Sequence, residues 1–176
     1  GEIKHGSVKE ATAEYSIDTF AQLLSVDRRD LVDDDLGLFQ DTAAAMGRSA
    51  MRRLSDLIYS VLLSNPDGFF GVGNNNLLTG ADSALCMDSL ASAITAMRTQ
   101  RDDEGHDLDL RPATLLVGPQ LEPTARALLE SEFIQAPENL PTGNSLRRAV
   151  NLEIEARLAN SVKFPASASA MHWFLF

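Results

Sequence analysis

LFQDTAAAMGRSAMRRLSDLIYSVLLS, residues 38–64, is the stretch on which the fold turns. It contains no proline, and Gly47 is its one glycine. Phe39, Met46, Ala50, Leu54, Leu57, Ile58, Val61 and Leu62 recur in steps of three, four and seven, the repeat of one face of an α-helix. Arg48, Arg52, Arg53 and Asp56 fall on or near the other face. Upstream, Asp33-Asp34-Asp35 supplies N-cap and first-turn carboxylates, which the positive end of a helix dipole favours. Downstream, Asn65-Pro66-Asp67-Gly68 stops the helix with strong breaker residues. The pattern predicts one helix roughly 40 Å long.

Outward from this helix the periodicity changes. Before it, Ile3, Val8, Ala11, Ala13, Tyr15, Ile17 and Phe20 are spaced mostly by two, with Lys, Glu and Thr between them, so residues 1–32 read as extended. Gly6-Ser7 suits a turn. After it comes a loop rich in Gly and Asn, residues 66–81, and a second helix is predicted over about 82–99 with Met87, Leu90, Ile94 and Met97 as its buried stripe. Residues 101–109 form a charged turn. Ala113 to Val117 is a short continuous apolar run, expected as a central strand, broken by Gly118-Pro119. A third helix is expected over about 121–132, burying Leu121, Ala125, Leu128 and Leu129. A loop containing Pro137, Pro141 and Gly143 leads to Val150, Leu152, Ile154, Ala156 and Leu158, whose strict alternation predicts a strand over 150–158. Small polar residues make 161–170 a loop, and 171–176 closes as a strand. The fold class is α+β, with no internal repeat. The apolar run Trp173-Phe174-Leu175-Phe176 calls for burial, so the chain reads as a piece of a longer polypeptide.

Composition narrows the function. A chain of 176 residues, 44% hydrophobic and 23% charged, fits one or two packed domains. Cys86 is the single cysteine, so no internal disulfide forms and the fold rests on packing. The formal charge of −10 repels phosphate backbones, which argues against specific nucleic-acid binding. No stretch has the apolar length of a membrane helix, and the first residues lack the basic start and apolar core of a signal peptide.

Chemistry-bearing patterns are scarce. Three consecutive carboxylates, Asp33 to Asp35, cannot converge on one cation, and helix capping accounts for them better. His5, His106 and His172 have no metal-binding spacing. Cys86 beside Leu85 and Met87 reads as a buried structural thiol. Neither Gly6-Ser7 nor Gly47-Arg48-Ser49 matches a nucleophile elbow, and Gly71-Val72-Gly73 lacks the lysine of a phosphate loop. No catalytic residue, metal ligand or cofactor is therefore expected. The arginines Arg28, Arg29, Arg48, Arg52 and Arg53 bracket the acidic triplet. They read either as a solvated face or as one half of a charge contact between subunits, in which opposite charges fix register. An enzyme or ligand-binding domain is the rival reading, with a pocket formed by residues 69–76 and the charged turn near His106.

Several segments, in order, resemble the Mu-like major head subunit family of tailed-bacteriophage capsid proteins. They are Glu10 to Tyr15; Leu24-Ser25-Val26-Asp27-Arg28-Arg29-Asp30-Leu31-Val32-Asp33-Asp34-Asp35-Leu36-Gly37; the long helix with Gly47 and Arg52-Arg53; Phe70 to Leu77; Gln100 to Gly118 with Arg111-Pro112-Ala113-Thr114-Leu115-Leu116-Val117; and Trp173-Phe174-Leu175. The family carries a His-x-Asn-Leu where this chain has Asn74-Asn75-Asn76-Leu77. The resemblance implies the tailed-phage major capsid fold. Residues 1–35 would be an extended loop and arm, 36–67 the spine helix of a peripheral domain, 68–158 an axial α+β domain, and 159–176 a closing strand region. It implies a homo-oligomer of hexamers and pentamers in a virion shell, assembled in the host cytoplasm with scaffold and portal proteins. A nanocompartment shell of the same fold is the nearer alternative. Arg28, Arg29, Asp33, Asp34, Asp35, Arg52 and Arg53 are the candidate inter-subunit contact residues.

Overall fold

The computed structural model describes residues 38–102, 104–135 and 141–176, with the single positions Thr19, Ala21, Leu23, Ser25 and Arg28. The expected arm and the acidic cap Asp33 to Asp35 thus lie outside the described residues. The chain divides into two compact units, Gly1–Ala50 and Met51–Phe176. The packing described below is that of the second.

The predicted long helix is present as α1, Leu38–Ser64. It ends where the sequence requires. Asn65 takes the left-handed conformation, φ 49°, and Pro66–Gly68 turns away as a short 3-10 segment. α2, Met87–Arg98, is shorter than the pattern suggested, because Ala81–Ser83 forms a separate 3-10 turn and Cys86 is an extended N-cap. α3, Glu122–Glu130, follows a 3-10 turn at Pro119–Leu121 and stops at Ser131, whose backbone is extended.

β1, Thr114–Val117, is the central strand, as expected. The strands on its two sides are β4, Asn151–Ile154, which is parallel to it, and β5, Trp173–Leu175, which is antiparallel. A parallel pair needs a long connection, and α3 with the hairpin of β2, Phe133–Gln135, and β3, Pro141–Gly143, fills it. That hairpin replaces the expected open loop. The predicted strand over 150–158 stops at Ile154, where the Glu155 side chain accepts the Arg157 N–H and starts a 3-10 turn at Ala156–Ala159.

Both faces of the sheet are covered, which explains why β1 is apolar at the three consecutive positions Leu115 to Val117 rather than alternating. Leu115 and Val117 pack with Leu90, Leu121, Ala125, Leu129 and Val150, flanked by Leu152, Ile154, Trp173 and Leu175. On the other face Leu116 meets Leu63, Leu158 and Phe164, flanked by Tyr59, Leu62 and Phe174. Leu90, Leu115, Leu158 and Val117 are fully buried.

Two sequence expectations need correction. Most of the apolar stripe of α1 stays off the sheet, and Leu62 is the member of it that packs there. Leu54, Leu57, Ile58 and Val61 are exposed, as is Met51, whereas Leu63, Leu62 and Tyr59 make the contact. Periodicity located the apolar residues but could not tell which neighbour meets them. Cys86, expected inside, is exposed. Its sulfur accepts the Ser89 N–H at 3.4 Å while Ser89 Oγ accepts the Cys86 N–H at 2.9 Å, a reciprocal capping box. Burial falls instead on Ser89, whose hydroxyl donates to the Ala84 carbonyl at 2.7 Å.

Candidate functional site

The loop after α1 is shaped by amide side chains. Asn65 accepts the Phe70 N–H at 2.7 Å and donates to the Phe70 carbonyl at 3.0 Å, closing the turn as a strand pair would. Asn76 accepts the Gly71 N–H and donates to the Phe69 carbonyl, to which Asn74 also donates. Gln100 donates to the carbonyls of Asn74 and Asn75, fastening the loop to the end of α2. Asn75 is left-handed, φ 51°. Asparagine suits these positions because it tolerates positive φ, as at Asn65 and Asn75, and its amide bonds the backbone locally.

Held this way, the loop is one wall of an open hollow of about 1300 Å³. α2 contributes Ala93, Ala96 and Met97, and all of Met171 to Phe176 borders it. The Phe70 ring lies 5.5 Å from that of Phe174, and Phe174 stacks on Phe176 at 6.2 Å. Trp173 is anchored by its indole N–H, which donates to the Ser83 carbonyl at 2.9 Å. The lining includes no Asp or Glu; Arg101 and His172 are its ionisable side chains. His106, the other half of the pocket proposed from sequence, does not line it. His106 is exposed in the charged turn, where its Nδ1 lies 3.1 Å from Asp102. Asp102 also accepts the backbone N–H of His106 and of Glu104, and these bonds, the former first, hold its carboxyl below its usual range. In the same turn Arg101 pairs with Asp107, and Arg98 and Arg111 lower the Asp109 carboxyl.

A second cluster was missed in the sequence. Asp56 accepts from Lys163 Nζ at 2.6 Å and from Arg157 Nε at 2.8 Å; Arg157 also reaches Glu155 at 3.0 Å. The Arg157 guanidinium lies 5.6 Å from the centre of the Tyr59 ring. Lys163 first, then Arg157, hold the Asp56 carboxyl below the usual range. Burial, and then the Glu155 charge, push the Tyr59 phenol up. These partners are a hundred residues apart, and no local pattern could have paired them.

Of the candidate contact residues, Arg28 is exposed and Arg52 and Arg53 are exposed on α1. Arg29 and Asp33 to Asp35 lie outside the described residues. Among the described residues no group of three or more His, Cys, Asp or Glu could hold a metal ion, and no helix is long and apolar enough to cross a membrane.

What the described molecule offers is apolar surface beside a sheet edge and along a helix, the equipment of a protein that works by association. The chain belongs to the phage capsid protein family, whose model matches residues 10–176. It is thus of a structural class, the subunits of virion shells. Comparisons with curated proteins and with solved structures return no match.

Proposed function

We propose that the chain is a major head subunit of the Mu-like kind, which self-associates into hexamers and pentamers of an icosahedral phage or prophage shell. The observation that carries this reading is the family match over residues 10–176. The exposed apolar row Met51, Leu54, Ile58 and Val61 supports it, because a helix apolar on its outer face lowers its free energy by being covered. In this reading residues 1–35 are the arm that lies on a neighbour, 36–67 the spine, 68–158 the axial domain and 159–176 the closing strand region. Arg28, Arg29, Arg52 and Arg53 face the Asp33 to Asp35 carboxylates across a subunit boundary. Scaffold and portal proteins are the further partners, and assembly takes place in the host cytoplasm. Many modest interfaces acting together close the shell.

Negative-stain electron microscopy of the gene product that carries this chain, expressed by itself and with its neighbouring head genes, tests the reading. Shells, tubes or hexamer rings are expected. Uniform monomers under both conditions would overturn it. Closed particles loaded with a cytoplasmic enzyme rather than DNA would favour a nanocompartment.

A further inference from the structure

We propose that Asp56, Arg157 and Lys163 form a latch that holds the last turns of α1, residues 56–64, on the sheet. Breaking it lets those turns swing out about a hinge at residues 65–68 while the sheet stays folded.

The latch joins separate elements. Asp56 on α1 accepts from Arg157 Nε at 2.8 Å and from Lys163 Nζ at 2.6 Å. Arg157 lies in the 3-10 turn Ala156–Ala159 that follows β4, and Lys163 in the turns after it. Three residues along α1, on the same helix face, the Tyr59 ring meets the Arg157 guanidinium and its hydroxyl donates to the Glu155 carboxylate. Leu62 and Leu63 continue the contact into the cluster of Leu116, Leu158 and Phe164. Charge-assisted hydrogen bonds are roughly twice as strong as neutral ones, and two of them on one carboxylate fix its position. Asp56 therefore sets where these helix turns sit, and the apolar contact fills in beside it.

Two features make the contact a latch and not a fixed tie. The first is that the cations have alternatives. Arg157 Nη1 lies 3.0 Å from Glu155 Oε1 of its own turn, so the guanidinium stays paired when Asp56 leaves. Lys163 carries its charge on a flexible four-carbon stem that can reorient. Breaking an ion pair is most costly where it strands a buried charge, and here it strands none. The second feature is the hinge. Asn65, Asp67 and Gly68 all have positive φ, at 49°, 55° and 66°. Left-handed backbone at Asn65 and Asp67 is held by its surroundings and gains by relaxing. Beyond the hinge the loop is secured without α1. Gln100 donates to the carbonyls of Asn74 and Asn75, and Asn74 and Asn76 both donate to the Phe69 carbonyl. A change of dihedral angles at 65–68 thus redirects the helix turns and leaves the loop in place.

Amide hydrogen exchange of the full 176-residue chain, followed by NMR along a urea series below the unfolding transition, tests the proposal. In the wild type, amides of residues 57–64 should exchange through a small opening that urea hardly affects. Those of β1 should exchange only through global unfolding, with a strong urea dependence. Undocked turns lose their protection because a few helical turns by themselves are marginal in water. Asp56→Asn should lower protection over 57–64 by about ten-fold or more. In a chain already carrying Arg157→Gln and Lys163→Gln the same substitution should lower it much less, since the partners are gone. One opening free energy and one urea dependence for both segments would overturn the proposal without any variant, because helix and sheet would then open together. Unchanged protection over 57–64 in Asp56→Asn, or equal losses in the two backgrounds, would overturn it as well.

Discussion

Asp56 joins parts of the sequence that are far apart, because one carboxylate accepts from both Arg157 and Lys163. Its folded-state pKa is depressed below the ordinary 3.8. A carboxylate of this kind stabilises the fold fully above its unfolded pKa and loses that contribution as the pH falls through the folded value. The wild-type chain should therefore lose stability on acidification below about pH 4 more steeply than Asp56→Asn. Urea midpoints measured across that range check this, and parallel curves would sink it. Asn65 supports a second prediction. It combines a left-handed backbone with two hydrogen bonds to Phe70, neither of which alanine can reproduce. Asn65→Ala should cost about 1–3 kcal/mol in unfolding free energy, and Asn65→Asp, which keeps the acceptor, should cost less.

At the scale of elements, α1 shows what the sequence could and could not tell. Its limits were legible because they are local: an unbroken helical repeat, then Asn-Pro-Asp-Gly. The central position of β1 was legible because Leu115, Leu116 and Val117 are apolar in succession, as a strand covered on both faces requires. The orientation of α1 was not, since apolar residues lie on more than one side of it and only long-range packing chooses between them. The hairpin of β2 and β3 was hidden by its prolines, which local rules read as loop. The hollow is a product of tertiary placement, although its asparagine wall was visible as a cluster. A mutational contrast tests the orientation of α1. Leu63→Ala, at a buried position, should cost about 2–5 kcal/mol, while Ile58→Gln, at a position 62% exposed, should stay within about 0.5 kcal/mol of wild type. Similar losses at the two sites in denaturant unfolding would mean that the faces are assigned the wrong way round.

At the scale of the whole molecule, opposing electrostatic effects bear on assembly. A chain of formal charge −10 repels its copies, and salt weakens that repulsion. A specific contact between Arg28 or Arg29 and the Asp33 to Asp35 carboxylates of a neighbour would act in the opposite sense. Reversing both arginines to Glu removes that contact and adds repulsion, so it should abolish particles while leaving the fold's circular dichroism unchanged. That result alone would not separate a specific pair from a general increase in negative charge. Adding Asp33→Lys and Asp34→Lys to the reversed chain separates them, because it restores both the net charge and the pairing of opposite signs across the boundary. If the contact is specific, particles should return with the fourfold variant. The Asp33→Lys, Asp34→Lys chain alone should fail although it is less acidic than wild type, as a coupling between the two groups requires. Particle counts by electron microscopy, at one fixed ionic strength, give the answer. Assembly by the lysine variant alone would show that these residues act only through net charge.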